Sequence, residues 1–132
     1  MATIPEPTER ELQILKVLWQ RGEATVRQVY EDLRAELPIV QNTVQAFLRT
    51  MEAKGLVRHR NEGRSFVYRP AQALQRTRKT LVSGMLDAVF DGAIDQLVAS
   101  AFAARPPDAE ELERLKALLA QAERDAKARR TS

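Results

Sequence analysis

Apolar positions in the first part of the chain fall into three helical patterns. Thr8 with Glu11 makes a capping-box signature, and Leu12, Leu15, Leu18 and Trp19 then recur at helical spacing until Arg21-Gly22. Thr25 with Gln28 repeats the signature, and Val26, Val29, Tyr30 and Leu33 form the next apolar face. Leu37-Pro38 is expected to stop that helix, because proline disfavours helical geometry in the residue before it. Val44, Phe47, Leu48 and Met51, at i, i+3, i+4 and i+7, predict a third helix ending at Lys54-Gly55, a basic residue followed by a C-cap glycine. The period then changes. LVRHR and SFVYR flank an NEG turn, Arg58 and Arg60 alternate with Val57 and His59, and Phe66 shares a face with Tyr68, so a β-hairpin is expected.

Residues 72–104 return to helical periodicity through Leu74, Leu81, Val82, Met85, Leu86, Val89 and Phe90, an Asp91-Gly92 interruption, then Ile94, Leu97, Val98 and Phe102. The stripe is too rich for an isolated surface helix. Arg105-Pro106-Pro107 breaks the chain, Asp108 with Glu111 caps again, and Leu112, Leu115, Leu119 and Ala122 line a last helix over 109–128.

Three short helices followed by a hairpin are the elements of a winged helix. The fold expected is therefore mainly α with a small β-hairpin wing: a winged helix-turn-helix domain over residues 1–70, then a helical region over 71–132. In that class the third helix enters the DNA major groove and the wing tracks the sugar-phosphate backbone. With the apolar set turned to the core, Gln41, Asn42, Thr43, Gln45, Ala46 and Arg49 face out. Amides pair with adenine, Thr and Ala methyls meet the thymine methyl, and Arg binds guanine or phosphate. A merely solvated face usually carries paired Glu and Lys, whereas this one has no acid before Glu52. Arg58, Arg60 and Arg64 around the turn supply forked donors for phosphate oxygens, a positioning role; charge on an exposed hairpin edge also deters strand-to-strand association. The start of helix two, near Thr25 and Arg27, is a weaker phosphate dock.

Charge supports this placement. The total is only +3 with a pI near 9.6, but residues 1–39 carry a net −2, residues 40–70 a net +4 and residues 71–132 a net +1. The positive charge is concentrated where the third helix and hairpin lie, as at a nucleic-acid contact. The 132 residues contain no cysteine and one histidine, which removes disulfides, thiolate metal sites and thiol nucleophiles. No cofactor and no metal site are expected. Neither a secretory leader nor a membrane span is expected, and the compartment expected is the cytoplasm. His59 reads as a surface or hydrogen-bonded residue, and Trp19 as core. Ser65, Ser83 and Ser100 have no base partner. Asp87, Asp91 and Asp95 recur every four residues on what should be one helical face, more simply solvated than cation-binding. No enzyme is expected.

The stretches ELQILKVLW, ATVRQVYEDL, NTVQAFLRTMEAKGLV and GRSFVYRP together resemble the BlaI/MecI family of bacterial penicillinase repressors, over about residues 8–102. The resemblance implies a homodimeric winged-helix repressor on a palindromic double-stranded DNA operator. It places Asn42, Thr43, Gln45 and Arg49 in the groove and Arg58, Arg60 and Arg64 on the wing. It makes the Leu81 to Phe102 stripe, with Met85, Leu86, Val89, Leu97 and Val98, the dimer interface; packing against the last helix within one chain is the alternative. Antibiotic-resistance members are cut at an Asn-Phe bond through a membrane sensor metalloprotease. The counterpart here is Ala101-Phe102, without the Asn. Copper-responsive relatives use a cysteine motif that this chain lacks. A winged helix used for protein contact and a non-specific architectural DNA binder are the rival readings.

Overall fold

The computed structural model describes residues 6–131. Helix α1 (Glu9–Arg21) begins at a complete capping box: the Thr8 hydroxyl accepts from the Glu11 N–H, and the Glu11 carboxylate accepts from the Thr8 N–H. After strand β1 (Ala24–Thr25), helix α2 (Val26–Leu33) repeats the device with Thr25 and Gln28. Helix α3 (Gln41–Lys54) ends at Gly55, whose φ of 84° lies in the left-handed region that suits glycine. Strands β2 (Val57–Glu62) and β3 (Ser65–Pro70) form the expected hairpin, with His59 opposite Tyr68 and Arg60 opposite Val67.

Four details depart from the sequence reading. Helix α2 stops at Leu33, four residues before Leu37. Pro38 has no N–H and restricts Leu37, and the chain unwinds through a turn in which the Leu37 N–H reaches the Leu33 carbonyl at 2.9 Å. The hairpin is part of a three-stranded antiparallel sheet of order β1-β3-β2, with Ala24 opposite Tyr68. A two-residue strand is too short to show alternation. The last helix, α6 (Ala109–Thr131), runs past residue 128; Arg129 and Arg130 complement the negative end of the helix dipole there. Asp87, Asp91 and Asp95 do not share a helical face. Helix α4 (Leu74–Phe90) ends before Asp91, which has φ 50°, and α5 (Ile94–Ala104) begins after Gly92. The Gly92 N–H closes the end of α4 on the Leu86 carbonyl at 2.9 Å.

The chain divides into two compact units, Met1–Gly84 and Met85–Ser132. In the first, Ile14, Leu15 and Leu18 of α1, Val29 of α2, Val44, Leu48 and Met51 of α3 and Tyr68 of β3 form one core. Trp19 is half-buried at its margin, its indole N–H donating to the Gln72 carbonyl at 2.9 Å. In the second unit no residue of α5 or α6 is buried, although Ile94, Val98, Phe102 and Leu112 are large and apolar.

One buried charge ties α1 to α3. Glu11 is 1% exposed and accepts from Lys54 Nζ at 2.9 Å, while still capping Thr8. Burial alone would raise its pKa, but the Lys54 ammonium and the Thr8 donors together hold it below the ordinary 4.5. A depressed folded-state value contributes stability that is present above 4.5 and lost as pH falls through the lower value. Glu11→Gln is expected to cost about 1–3 kcal/mol at neutral pH. Thermal melts from pH 7 to 3 should show the variant's deficit shrinking below pH 4.5, where the wild type protonates.

Candidate nucleic-acid interface

Helix α3 is divided lengthwise. Val44, Leu48 and Met51 are buried and Phe47 packs against the core, so the opposite side, carrying Gln41, Asn42, Thr43, Gln45, Ala46 and Arg49, is exposed. Within the first unit a cleft is bounded by Gln41, Gln45 and Arg49 of α3, by Thr25, Val26 and Arg27 at the start of α2, and by Arg64, Ser65, Phe66 and Tyr68 of the wing. Of the nine residues expected to meet DNA, the cleft gathers Gln41, Gln45, Arg49 and Arg64. Asn42, Thr43 and Ala46 are exposed on α3 outside it, and Arg58 and Arg60 do not line it.

The wing's alternation explains that split. Side chains along a strand point to opposite faces, so His59, Phe66 and Tyr68 share the face toward α3, and Arg58, Arg60 and Arg69 take the other. Arg64 escapes this division because it follows Gly63 in the turn, where φ is 61°.

The arginines also differ electrostatically. Arg60 donates to both carboxylate oxygens of Glu23, at 2.7 and 3.3 Å, and lies 3.0 Å from Glu62. These acids raise its pKa further, and the Arg60 guanidinium in turn lowers that of Glu23. Its forked donors are therefore spent on the segment before β1, not held out for phosphate. Among the described residues Arg58 and Arg64 have no such partner, and Arg27 is only 3.7 Å from Glu31. The contribution of Ser65, Phe66 and Tyr68 to the cleft was not foreseen. The SFVYR alternation set Phe66 and Tyr68 on one face and Ser65 on the other, but what the Phe66 face opposes depends on how α3 packs.

His59 is hydrogen-bonded, its Nδ1 lying 2.7 and 2.8 Å from the two carboxylate oxygens of Glu52 on α3. Among the described residues no group of three or more metal-ligating side chains occurs, and no helix is long and apolar enough to cross a membrane.

Residues 7–121 match the family described as Penicillinase repressor. The chain belongs to the penicillinase repressor family. The matched span takes in the cleft, α4, α5 and half of α6. The penicillinase repressor of Bacillus licheniformis is 26% identical over 98 residues, covering 74% of this chain and 77% of its own length. The solution structure of the DNA-binding domain of the repressor BlaI is 31% identical, with a TM-score of 0.50, over 56% of this chain and 90% of that one. The solution structure of monomeric Bacillus licheniformis BlaI in complex with the blaP half-operator is also 31% identical, with a TM-score of 0.49, over 57% of this chain and 92% of that one. The penicillinase repressors are DNA-binding transcriptional regulators, not enzymes. The winged-helix architecture expected from element order is the one the BlaI domain shares with this chain.

Proposed function

We infer that this penicillinase-repressor chain is a transcriptional repressor that acts as a homodimer on an inverted-repeat operator. The observation that carries the reading is the cleft, which sets the amides of Gln41 and Gln45 beside the cations of Arg49, Arg27 and Arg64. Residues 1–70 would read DNA, with Asn42, Thr43 and Ala46 extending the α3 face along the major groove and Arg58 and Arg64 on phosphate oxygens. Residues 71–132 would join two copies. The apolar side chains that α4 and α5 leave exposed or half-buried support this: Leu81, Met85, Leu86, Val89, Leu97, Val98 and Phe102. Two recognition helices about 34 Å apart would then meet successive turns of one DNA face. A dimer seated on a promoter blocks polymerase, and the cytoplasm is where it would meet its operator. The family's inactivation bond corresponds to Ala101-Phe102, inside α5. A membrane sensor metalloprotease would have to act there after an alanine, on a segment first unwound.

Salt dependence tests the wing. Each phosphate contact contributes to the slope of log affinity against log salt, so Arg64→Ala should lower that slope by about 1. Arg60→Ala should change it much less, since Glu23 and Glu62 already neutralise that charge. Equal slope changes in fluorescence-anisotropy titrations would contradict the division of roles.

A further inference from the structure

Glu52 stands three residues after Arg49 and seven after Gln45, so helical geometry places a carboxylate on the side of α3 that carries both. An acid beside a phosphate-binding cleft repels the ligand, and its presence there calls for another role. We propose that Glu52 and His59 are positioning residues that lock the wing to α3, and that the lock holds Phe66 in the cleft wall as an apolar contact for the sugar and base edges of bound duplex DNA. The proposal rests on the DNA-reading function inferred above.

Three contacts support it. Both Glu52 oxygens lie within 2.8 Å of His59 Nδ1. An ionised carboxylate only accepts hydrogen bonds, so Nδ1 carries the proton and the imidazole orientation is fixed. The other side of the imidazole serves as a platform: Phe66 stacks on it with ring centroids 4.1 Å apart and planes 15° from parallel. Tyr68, 1% exposed and rooted in the core, borders both rings at 5.6 and 6.3 Å. The wing is thereby pinned to the recognition helix at a side chain beyond the core, where a hairpin tip would otherwise move freely. Phe66 is 45% exposed and lines the cleft with Gln45 and Arg49. A large apolar ring held rigidly in a polar, cationic cleft offers stacking or van der Waals contact that costs little ordering on binding.

The test compares Glu52→Gln with Glu52→Ala in the full chain. Both variants remove the same charge, so any difference between them is free of the electrostatic gain. The amide oxygen introduced by the first can still accept from Nδ1–H, whereas the alanine cannot. Binding is measured to the duplex recovered from random DNA by the wild-type protein, and amide hydrogen exchange is followed at residues 63–65 without DNA. The alanine variant should bind about 10-fold more weakly than the glutamine variant, with faster exchange at the wing tip and a melting temperature close to its sibling's. Phe66→Ala should lose about 10-fold in affinity at an unchanged salt slope. Equal affinity and exchange for the two Glu52 variants overturn the lock, and wild-type affinity for Phe66→Ala overturns the contact. If the wild type recovers no duplex, the DNA-reading function fails and the Phe66 contact with it, while the exchange comparison still decides the lock.

Discussion

Val89→Asp is expected to convert the proposed dimer to a monomer and to weaken binding to a full inverted repeat by more than about 100-fold. In the single chain Val89 is 67% exposed and Met85, one turn earlier on α4, is 53% exposed, so a carboxylate at position 89 meets solvent and leaves the protomer's fold alone. In a dimer seam the same carboxylate is taken out of water without a partner, a penalty of several kcal/mol. A monomer engages one half-site with half the phosphate contacts, and affinity falls steeply as contacts are lost. Affinity for an isolated half-site should be unchanged, which separates lost assembly from a damaged reading head. Sedimentation equilibrium decides the first point and anisotropy with full and half repeats the second. A variant that stays dimeric would move the interface away from this face of α4, and the exposed stripe would need another partner.

Leu48→Ala carries the largest expected effect on stability. Leu48 is fully buried in the core that α1, α2, α3 and the sheet share, with Gln45 and Arg49 on the exposed side of the same helix. Truncation removes the transfer free energy of the lost carbons and leaves a cavity that the packed helices refill only in part, together about 2–5 kcal/mol. Against a total of about 5–15 kcal/mol, this is a large share of the domain's stability. Because α3 loses its seat, DNA affinity should fall at temperatures where the variant begins to melt and recover on cooling. A melting temperature within a degree or two of wild type would contradict the placement of α3 in the core.

The helix boundaries were legible wherever the signal is local. Thr8 with Glu11, Thr25 with Gln28 and Asp108 with Glu111 each form their cap within three residues, and Lys54-Gly55 closes α3 without help from tertiary structure. The outward face of α3 was equally legible, because four apolar residues at helical spacing fix which side is buried. What escaped was set by distant parts of the chain. Strand β1 exists because Ala24 finds Tyr68, far along the sequence. Arg60 looked identical to Arg64 in the sequence, and its difference comes from Glu23, which lies 37 residues away. His59 was expected to be a surface or hydrogen-bonded residue; that its partner would be the recognition helix itself depends on the angle between α3 and the wing.

The proposed function is the reading of an inverted repeat through the exposed face of α3. It is tested most directly by selecting bound sequences from random duplex DNA with the full-length protein, at two salt concentrations, and repeating the selection with Gln45→Ala. The wild type is expected to recover an inverted repeat with half-sites about one helical turn apart, and the substitution to relax preference at defined positions in each half-site, at about 1–3 kcal/mol per lost bidentate contact. Salt-sensitive binding without a motif, or a motif that Gln45→Ala leaves untouched, would contradict the proposed function.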